Sequence, residues 1–341
     1  MSQQPIKTAI IGVGHLGNFH VEQLLQIPEA ELLGIYDADP EAAARQQKRH
    51  KLRIFDSLEE ALEAAEAISV VVPTVDHFDV ASRGLEAGCH VFIEKPITQT
   101  LQQADQLLQM ADERNLLIQV GHIERLNPAL QVLESLAPQP RFIEGHRLAS
   151  FSSRGTDVPV VLDLMIHDID VVLSLVRSPL ESVRANGVAV ITDTADIATA
   201  RLEFANGAVA NLTASRVAQK QMRKLRLFQS RLYIGVDFLQ QITEIYRLVG
   251  PDATPPEALR TIPFEHQGKQ RIITYEKPAV EQYNPLHMEL TNFIRSVAGL
   301  EKPVVDGRAA RAALDVASQV QAALDESTAR QEQPDSGTGD A

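Results

Sequence analysis

Apolar and polar positions alternate in two distinct ways along the 341-residue chain. Over the first third, short uninterrupted apolar runs are separated by stretches in which apolar residues recur every three or four positions. The runs indicate strands buried on both faces, and the stretches between them indicate amphipathic helices. The predicted strands span residues 8–13, 31–36, 68–72, 90–93 and 116–120, and the predicted helices span residues 16–26, 40–51, 57–65, 75–87 and 101–114. This order predicts a parallel sheet covered by helices on both faces.

From about residue 142, every second residue tends to be apolar, which predicts strands with one buried face. These strands span residues 182–192, 195–204, 208–215, 224–229, 231–238 and 241–248. Asn206-Gly207 lies between two of them and predicts a hairpin turn. Helical spacing predicts helices at residues 161–176, 285–298 and 307–324. We therefore expect a second α+β domain with a large, mainly antiparallel sheet and a helix layer on one face. The expected boundaries are 1–122 and 123–326, with a polar, disordered tail at 327–341.

Composition narrows the class of protein. The chain is 44% hydrophobic and 23% charged, which is typical of a globular domain. Its formal net charge of −13 argues against binding to a nucleic-acid backbone. No apolar run reaches the roughly 18 to 20 residues of a membrane helix, so we expect no membrane insertion. The single cysteine, Cys89, excludes an internal disulfide and a cysteine-rich metal site, and it is compatible with a reducing cytoplasm.

A glycine fingerprint follows the first predicted strand. Gly12, Gly14 and Gly17 form a G-x-G-x-x-G pattern that opens the first predicted helix. Such glycines permit a tight turn, the approach of backbone to a pyrophosphate, and close helix packing. Asp37 ends the next strand, where a carboxylate can bind the adenosine ribose and repel a 2′-phosphate. The pattern predicts a Rossmann domain that binds NAD rather than NADP, although Asp39 could share the role of Asp37 and a glycine turn beside a surface aspartate is the alternative.

Loops after the other strands supply further cofactor candidates, because ligands bind at the carboxyl ends of strands in this fold. An exposed histidine at a helix start is the alternative for His15. The full set of expected cofactor contacts is Gly12, Gly14, His15, Leu16, Gly17, Asp37, Pro73, Thr74, His77, Glu94 and Lys95.

Two constellations could carry a reaction. Glu94-Lys95-Pro96 directly follows a predicted strand, so Lys95 would lie beside the nicotinamide, with a solvated Glu-Lys pair as the alternative. Asp163 and His167 are four residues apart on a predicted helix and therefore share one face, close to Asp170. A carboxylate within reach of an imidazole can orient a general base. A metal site and a structural histidine are the competing interpretations of this pair.

These three motifs, in this order, resemble those of the Gfo/Idh/MocA oxidoreductase family, and the likeness spans residues 6–324. The resemblance implies a Rossmann domain followed by a domain with a large open sheet, which commonly forms the oligomer interface. It also implies that Lys95 and His167 meet across the domain interface beside the nicotinamide. His167 would then be the general base, Lys95 would stabilise the oxygen of the hydroxyl being oxidised, and Asp163 would bind a neighbouring hydroxyl or orient the base. Hydride would pass to NAD.

A narrower resemblance links residues 121–128, 141–144 and 157–164 to the UDP-N-acetylglucosamine 3-dehydrogenase branch. Those enzymes oxidise the sugar 3-hydroxyl to a ketone, which an aminotransferase later converts for lipid A. The resemblance implies a nucleotide-sugar substrate and a homodimer or homotetramer formed through the open sheet. Expected substrate-binding residues are Lys95, Arg125, Asn127, Arg154, Asp163 and His167, with Arg147 and His122 as further candidates. For the loop residues and arginines, an ordinary surface or inter-domain contact is an equal alternative.

Two other functions stay open at this point. A dehydrogenase of a free sugar or an inositol would keep the fold and the hydride transfer but would need no arginine for a diphosphate. A non-catalytic NAD-binding regulatory protein would keep the fold alone, since one scaffold can host many functions. The basic stretch at residues 220–227 is interpreted as a solvated or inter-subunit sheet edge, with a diphosphate or acidic-lipid contact as the alternative.

Overall fold

The computed structural model describes residues 4–152, 158–250, 252 and 258–332. The chain forms two compact units. The first comprises Met1–Leu126 and Tyr283–Leu314, and the second comprises Asn127–Gln282 and Asp315–Ala341. The chain therefore passes from the first unit to the second and back before it enters the second again.

A five-stranded parallel sheet forms the centre of the first unit, with the strand order β2-β1-β3-β4-β5. Helices connect each strand to the next, which confirms the predicted Rossmann fold. The strands are β1 (Ile6–Ile11), β2 (Ala30–Tyr36), β3 (Ala67–Val70), β4 (His90–Glu94) and β5 (Ile118–Gly121). The helices are α1 (His15–Leu24), α2 (Pro40–His50), α3 (Leu58–Ala64), α4 (Thr74–Glu86) and α5 (Leu101–Arg114).

A helix from late in the chain completes the core of the first unit. This helix, here α8 (Pro285–Val297), buries Leu290, Phe293 and Ile294 in the same apolar cluster as Ile10 and Phe92. The expected first domain, residues 1–122, did not include this returning segment. Helical spacing revealed the apolar face of α8, but it carries no information about which sheet that face covers.

A nine-stranded sheet forms the second unit, with the order β13-β14-β12-β11-β10-β6-β9-β8-β7. Among the described strands of this sheet only β6 and β9 pair in parallel, so the sheet is mainly antiparallel as predicted. Gly207 has a φ of 78° in the hairpin between β8 and β9, where Asn206-Gly207 predicted a turn. The strands are β6 (Phe142–Leu148), β7 (Leu180–Val188), β8 (Ile197–Phe204), β9 (Val209–Ser215), β10 (Met222–Gln229), β11 (Leu232–Asp237), β12 (Ile242–Val249), β13 (Arg260–His266) and β14 (Lys269–Glu276).

Helices cover one side of this sheet. Helix α6 (Pro128–Leu136) packs on β11 and β12, while α7 (Ile166–Val176) packs on β6 and β9. A row of aromatic rings crosses the strands at ring-centroid spacings of 5.0–5.7 Å, comprising Phe142, Phe228, Tyr233, Tyr246 and Tyr275. Their positions alternate with buried residues such as Ile143, Leu227 and Ile245, so they occupy the side opposite the buried core residues.

The last helix, α9 (Gly307–Glu332), continues past the predicted end at residue 324. The expectation of a disordered tail beginning at 327 is therefore wrong for residues 327–332. Alanine, glutamate, glutamine and arginine dominate that segment, and these residues favour a helix even without an apolar face. The rest of the expected tail, 333–341, lies outside the described residues.

Candidate active site

The glycine fingerprint forms the turn between β1 and α1. Gly12 has a φ of 91°, and a Cβ there would lie 2.5 Å from the Val71 carbonyl oxygen. A Cβ at Gly17 would lie 2.1 Å from the Gly12 carbonyl oxygen, so the helix packs too closely for any side chain. By contrast, a Cβ at Gly14 would meet nothing within 4 Å. The turn is therefore closed at Gly12 and Gly17 and open at Gly14, which is the side where a pyrophosphate could approach backbone amides.

Asp37 lies at the end of β2, beside this turn. Its Oδ2 accepts a hydrogen bond of 2.6 Å from the Val13 amide, and its Oδ1 accepts one of 2.8 Å from the Asp39 amide. Each carboxylate oxygen can accept a further hydrogen bond, so the group can also bind ribose hydroxyls. Asp39 instead caps α2 by accepting from the Glu41 amide at 2.9 Å. The residues present fit NAD, because an open glycine turn lies beside a carboxylate that can accept from ribose hydroxyls.

The remaining cofactor candidates differ in exposure. His15 and Leu16 begin α1, and Leu16 is 53% exposed. Pro73 precedes α4 and Thr74 begins it. His77, expected to contact the cofactor, is instead buried, with Nδ1 2.8 Å from the Pro96 carbonyl oxygen and Nε2 3.0 Å from the Val72 carbonyl oxygen. Burial lowers the pKa of His77 despite these carbonyls. Both nitrogens of the His77 ring thus face carbonyl oxygens of the protein's own backbone.

Glu94 ends β4 and turns its carboxylate into the protein. The Glu94 Oε1 lies 3.0 Å from Nε2 of His20, whose Nδ1 lies 2.8 Å from the Ser69 hydroxyl oxygen. Burial alone would raise the pKa of Glu94, but the contact with His20 and the charge of Lys95 together hold it below its usual range. Glu94 is therefore ionised and engaged inside the domain, so the alternative of a solvated Glu-Lys pair does not apply. Sequence reasoning missed His20, although a histidine on the apolar face of α1 was a visible signal.

The segment that carries Asp163 is not a regular α-helix. Val161–Met165 forms a π-helical turn, and α7 begins at Ile166, immediately before His167. A π turn inside a helix is rare and frequently occurs at functional sites. The wider turn changes the angular relation between Asp163 and His167 that an ideal helix predicts. Both side chains are half-buried.

Asp168, next to His167, forms a buried ion pair with Arg147 of β6. Arg147 Nε lies 3.0 Å from Asp168 Oδ2, and Arg147 Nη2 lies 2.8 Å from Oδ1, a bidentate geometry. Both side chains are 3% exposed. Arg147 was a further candidate for substrate binding, but its guanidinium instead fastens α7 to the sheet. The strand period contained the signal, because Arg147 shares the buried face with Ile143 and Gly145.

Other candidate substrate residues have structural contacts. Asn127 is buried and begins α6, where its Oδ1 accepts from the Ala129 amide at 3.1 Å and its Nδ2 donates to the Phe238 carbonyl at 3.1 Å. These bonds indicate a helix cap rather than a ligand contact. Arg125 donates a long hydrogen bond of 3.5 Å to the Val304 carbonyl, and His122 is buried. Arg154 lies outside the described residues.

The described residues (4–152, 158–250, 252 and 258–332) contain no group of three or more histidine, cysteine, aspartate or glutamate side chains that could hold a metal ion. Within the same ranges, no helix has both the length and the apolar character needed to cross a membrane.

Fold and site together define a Rossmann-type oxidoreductase with NAD as its cofactor. Residues 6–122 match the family described as "Oxidoreductase family, NAD-binding Rossmann fold", and residues 137–234 match the "GFO/IDH/MocA C-terminal domain". The chain belongs to the Gfo/Idh/MocA family, as its motifs predicted.

Similar proteins include dehydrogenases of several sugars and polyols. The chain is 38% identical over 321 residues to UDP-N-acetylglucosamine 3-dehydrogenase of Acidithiobacillus ferrooxidans, covering 94% of this chain and 97% of that one. A solved structure of that enzyme superposes with a TM-score of 0.85 and covers 95% and 99% of the two chains. The chain is 25% identical over 237 residues to scyllo-inositol 2-dehydrogenase of Bacillus subtilis, covering 63% and 69%. The chain is thus a dehydrogenase.

Proposed function

We propose that this protein oxidises the 3-hydroxyl of UDP-N-acetylglucosamine to a ketone with NAD. One observation carries the proposal, namely the 38% identity that extends over nearly the full length of both chains. The inositol dehydrogenase likeness is lower and covers about two thirds of each chain, so it supports the shared fold and chemistry more than the substrate.

The chemistry needs a proton acceptor and a stabiliser of negative charge on the reacting oxygen. We assign the first role to His167, whose neutral imidazole would take the hydroxyl proton. Lys95 would donate a hydrogen bond to the same oxygen as its negative charge develops. Asp163 would bind a neighbouring sugar hydroxyl or orient the base. Bound NAD supplies the hydride acceptor, and the glycine turn with Asp37 would hold it in place.

Recognition of the nucleotide diphosphate calls for cations, because a guanidinium matches the geometry of phosphate oxygens. Arg125 and Arg154 are our candidates for this contact. Arg147 is not, because its guanidinium is already paired with Asp168. Asn127 was expected to bind substrate, and we now assign it to holding the start of α6.

The test is single-turnover formation of NADH at 340 nm with purified protein, NAD, and either UDP-N-acetylglucosamine or free N-acetylglucosamine. The proposal expects signal with the nucleotide sugar and little with the free sugar. Equal signal with both, or a better signal with scyllo-inositol, would replace the proposal with a general polyol dehydrogenase. Binding of NAD without turnover of any of these compounds would favour a regulatory protein.

We further propose a homodimer or homotetramer assembled through the open face of the nine-stranded sheet. The aromatic row on that face supports the assembly, since rings are enriched at the cores of interfaces. Tyr246→Asp should reduce the mass measured by light scattering to that of a 37.5 kDa monomer. A wild-type monomer would contradict the proposal directly.

The product of this reaction would be a 3-keto nucleotide sugar, which is a substrate for transamination. We therefore propose that an aminotransferase consumes it in the cytosol, on the route to the amino sugars of lipid A. Addition of such an aminotransferase and an amine donor should increase the yield of NADH. An unchanged yield would remove this assignment without affecting the oxidation itself.

A further inference from the structure

The loop that carries Lys95 is held on both sides by buried histidines from two different helices. His20 belongs to α1 and His77 to α4, and each is only 1% exposed. The two histidines are far apart in the sequence, and neither belongs to the motif that contains Lys95. Buried histidines need hydrogen-bond partners, and both rings find them at this loop.

His20 holds the residue before Lys95. Its Nε2 lies 3.0 Å from Glu94 Oε1, and because an ionised carboxylate only accepts, Nε2 must carry the proton. The Ser69 hydroxyl, 2.8 Å from Nδ1, can donate to the nitrogen that is left unprotonated. Both ring nitrogens of His20 thereby have a partner, Ser69 on one side and Glu94 on the other.

Gly121, in the neighbouring strand β5, lies against the Glu94 carboxylate. It pairs with Glu94 in the β4–β5 register, and a Cβ at Gly121 would lie 3.0 Å from Glu94 Oε1. The carboxylate therefore fills the space that any side chain at this position would occupy. Glu94 has little freedom to turn outward while His20 and Gly121 are in place.

His77 holds the residue after Lys95. Its Nδ1 lies 2.8 Å from the Pro96 carbonyl oxygen, and its Nε2 lies 3.0 Å from the Val72 carbonyl oxygen. Both carbonyls only accept, so a ring with one proton donates to one of them, and the shorter contact is the one with Pro96. Val72 and Pro96 follow β3 and β4, so the ring lies between the two loops at the carboxyl ends of adjacent strands. Ligands of this fold bind at that edge of the sheet.

We propose that His20 and His77 are positioning residues for Lys95, one through the Glu94 carboxylate and the other through the Pro96 carbonyl. The inference rests on the role proposed above for Lys95. A displacement of about 1 Å at a reacting group can reduce turnover about 100-fold, so two fixed neighbours are of direct value to a catalytic lysine. Because His20 lies on the helix that opens with the glycine fingerprint, it also ties Lys95 to the element that binds NAD.

His20 contacts the Lys95 loop through Nε2 and His77 contacts it through Nδ1, and this difference provides a matched test. An asparagine amide can replace a histidine Nδ1, and a glutamine amide can replace Nε2. His20→Gln retains the contact with Glu94, whereas His20→Asn retains only the contact with Ser69. At the second position, His77→Asn retains the contact with Pro96, and His77→Gln retains the contact with Val72.

The proposal therefore expects a crossed order in turnover of UDP-N-acetylglucosamine by the full-length variants. His20→Gln and His77→Asn should stay within about threefold of wild type, while His20→Asn and His77→Gln should lose about 10-fold to 100-fold in kcat. The KD for NAD, measured by titration calorimetry, should change little in all four. If glutamine or asparagine is the better replacement at both positions, the rings serve size or burial alone and the proposal is wrong.

A second readout separates this inference from the proposed function. The rate at which an acetylating reagent modifies Lys95, followed by peptide mass spectrometry, needs no substrate and should show the same crossed order. A crossed order in modification without any turnover would retain the positioning role and reject the substrate. If Lys95→Met keeps wild-type turnover, the catalytic role of Lys95 fails instead. Uniform modification rates in all four variants would overturn the positioning role even where some variants are less stable.

Discussion

Lys95 and His167 are each next in sequence to a carboxylate, and the two carboxylates have different partners. Glu94 precedes Lys95 and contacts the imidazole of His20, which in turn contacts the Ser69 hydroxyl. Asp168 follows His167 and pairs with a guanidinium, which is always charged. The first arrangement fixes a loop by directional hydrogen bonds, and the second fastens a helix by a buried ion pair. We therefore expect damage to the first to appear mainly in turnover and damage to the second mainly in stability.

The largest effect on turnover should come from substitution of His167, the proposed base in the second unit. His167→Ala removes the proposed base but leaves the Asp168–Arg147 pair intact, so we expect kcat to fall about 100-fold to 10,000-fold. The free energy of unfolding and the affinity for NAD should stay close to wild type. Steady-state kinetics, urea unfolding and calorimetric titration of NAD measure the three quantities.

His167→Gln is the matched control, since it keeps a polar side chain of similar length without a base of suitable pKa. It should lose turnover nearly as severely as the alanine variant. Full turnover in the glutamine variant would identify His167 as a structural residue, and a parallel loss of NAD affinity would point to the same conclusion.

A smaller effect, and one on stability, should follow removal of one partner from the buried ion pair. Asp168→Ala leaves the Arg147 guanidinium buried without its carboxylate, which typically costs about 3–5 kcal/mol. Urea unfolding should show this loss as a lower transition midpoint. Glu94→Gln keeps an acceptor for His20, so we expect it to reduce the free energy of unfolding much less than Asp168→Ala does.

The double variant Arg147→Met with Asp168→Leu tests the cause of that loss. It replaces both charges by apolar groups of similar size, so it should be more stable than Asp168→Ala alone. If the double variant is as unstable as the single one, the loss arises from packing and the ion pair contributes little. Activity of the double variant then reports whether α7 still presents His167 correctly.

The two units also differ in how much of them the sequence predicts. Buried parallel strands are continuous apolar runs, so every strand of the first sheet was predicted, and so was the position of Lys95 directly after β4. Strands β13 and β14 were missed because neither shows a clear period of two. Most residues of the edge strand β13 are exposed, and β14 beside it buries only Thr274 and Glu276, which are polar. The missed β6 carries Gly145 and Arg147 at buried positions, where the pattern leads one to expect apolar side chains.

Side-chain partners were harder to predict than elements. The positions of His20 and His77 on helix faces were visible, but their partners Glu94 and Pro96 are 74 and 19 residues away. Only the strand order and register bring such residues together. The cap formed by Asn127 was readable locally, since Asn followed by Pro at a helix start is a common signature, yet it was interpreted as a substrate contact.

A third carboxylate, that of Asp196 in the loop between β7 and β8, is buried and accepts hydrogen bonds from backbone amides and a hydroxyl group. Asp196 Oδ2 accepts from the amides of Val190, Ile191 and Thr192 at 2.6–3.0 Å, and Oδ1 accepts from the Thr192 hydroxyl at 2.8 Å. Burial alone would raise its pKa, but these hydrogen bonds outweigh burial and lower the pKa from 3.8 to about 2. Since the folded-state pKa lies below the unfolded value, the charged form stabilises the fold above about pH 4. That contribution is lost as the pH falls towards 2.

Asp196→Asn should therefore cost about 1–3 kcal/mol at pH 7, because an amide has one acceptor oxygen in place of two and leaves a donor unsatisfied. Urea unfolding at pH 7 and at pH 3 should show a smaller difference between wild type and variant at the lower pH. Asp193→Asn, an exposed substitution three residues away, is the matched control and should change neither value. An equal loss at both pH values would mean that the shape of Asp196, rather than its charge, holds the loop. Asp196 would then differ in this respect from Glu94 and Asp168.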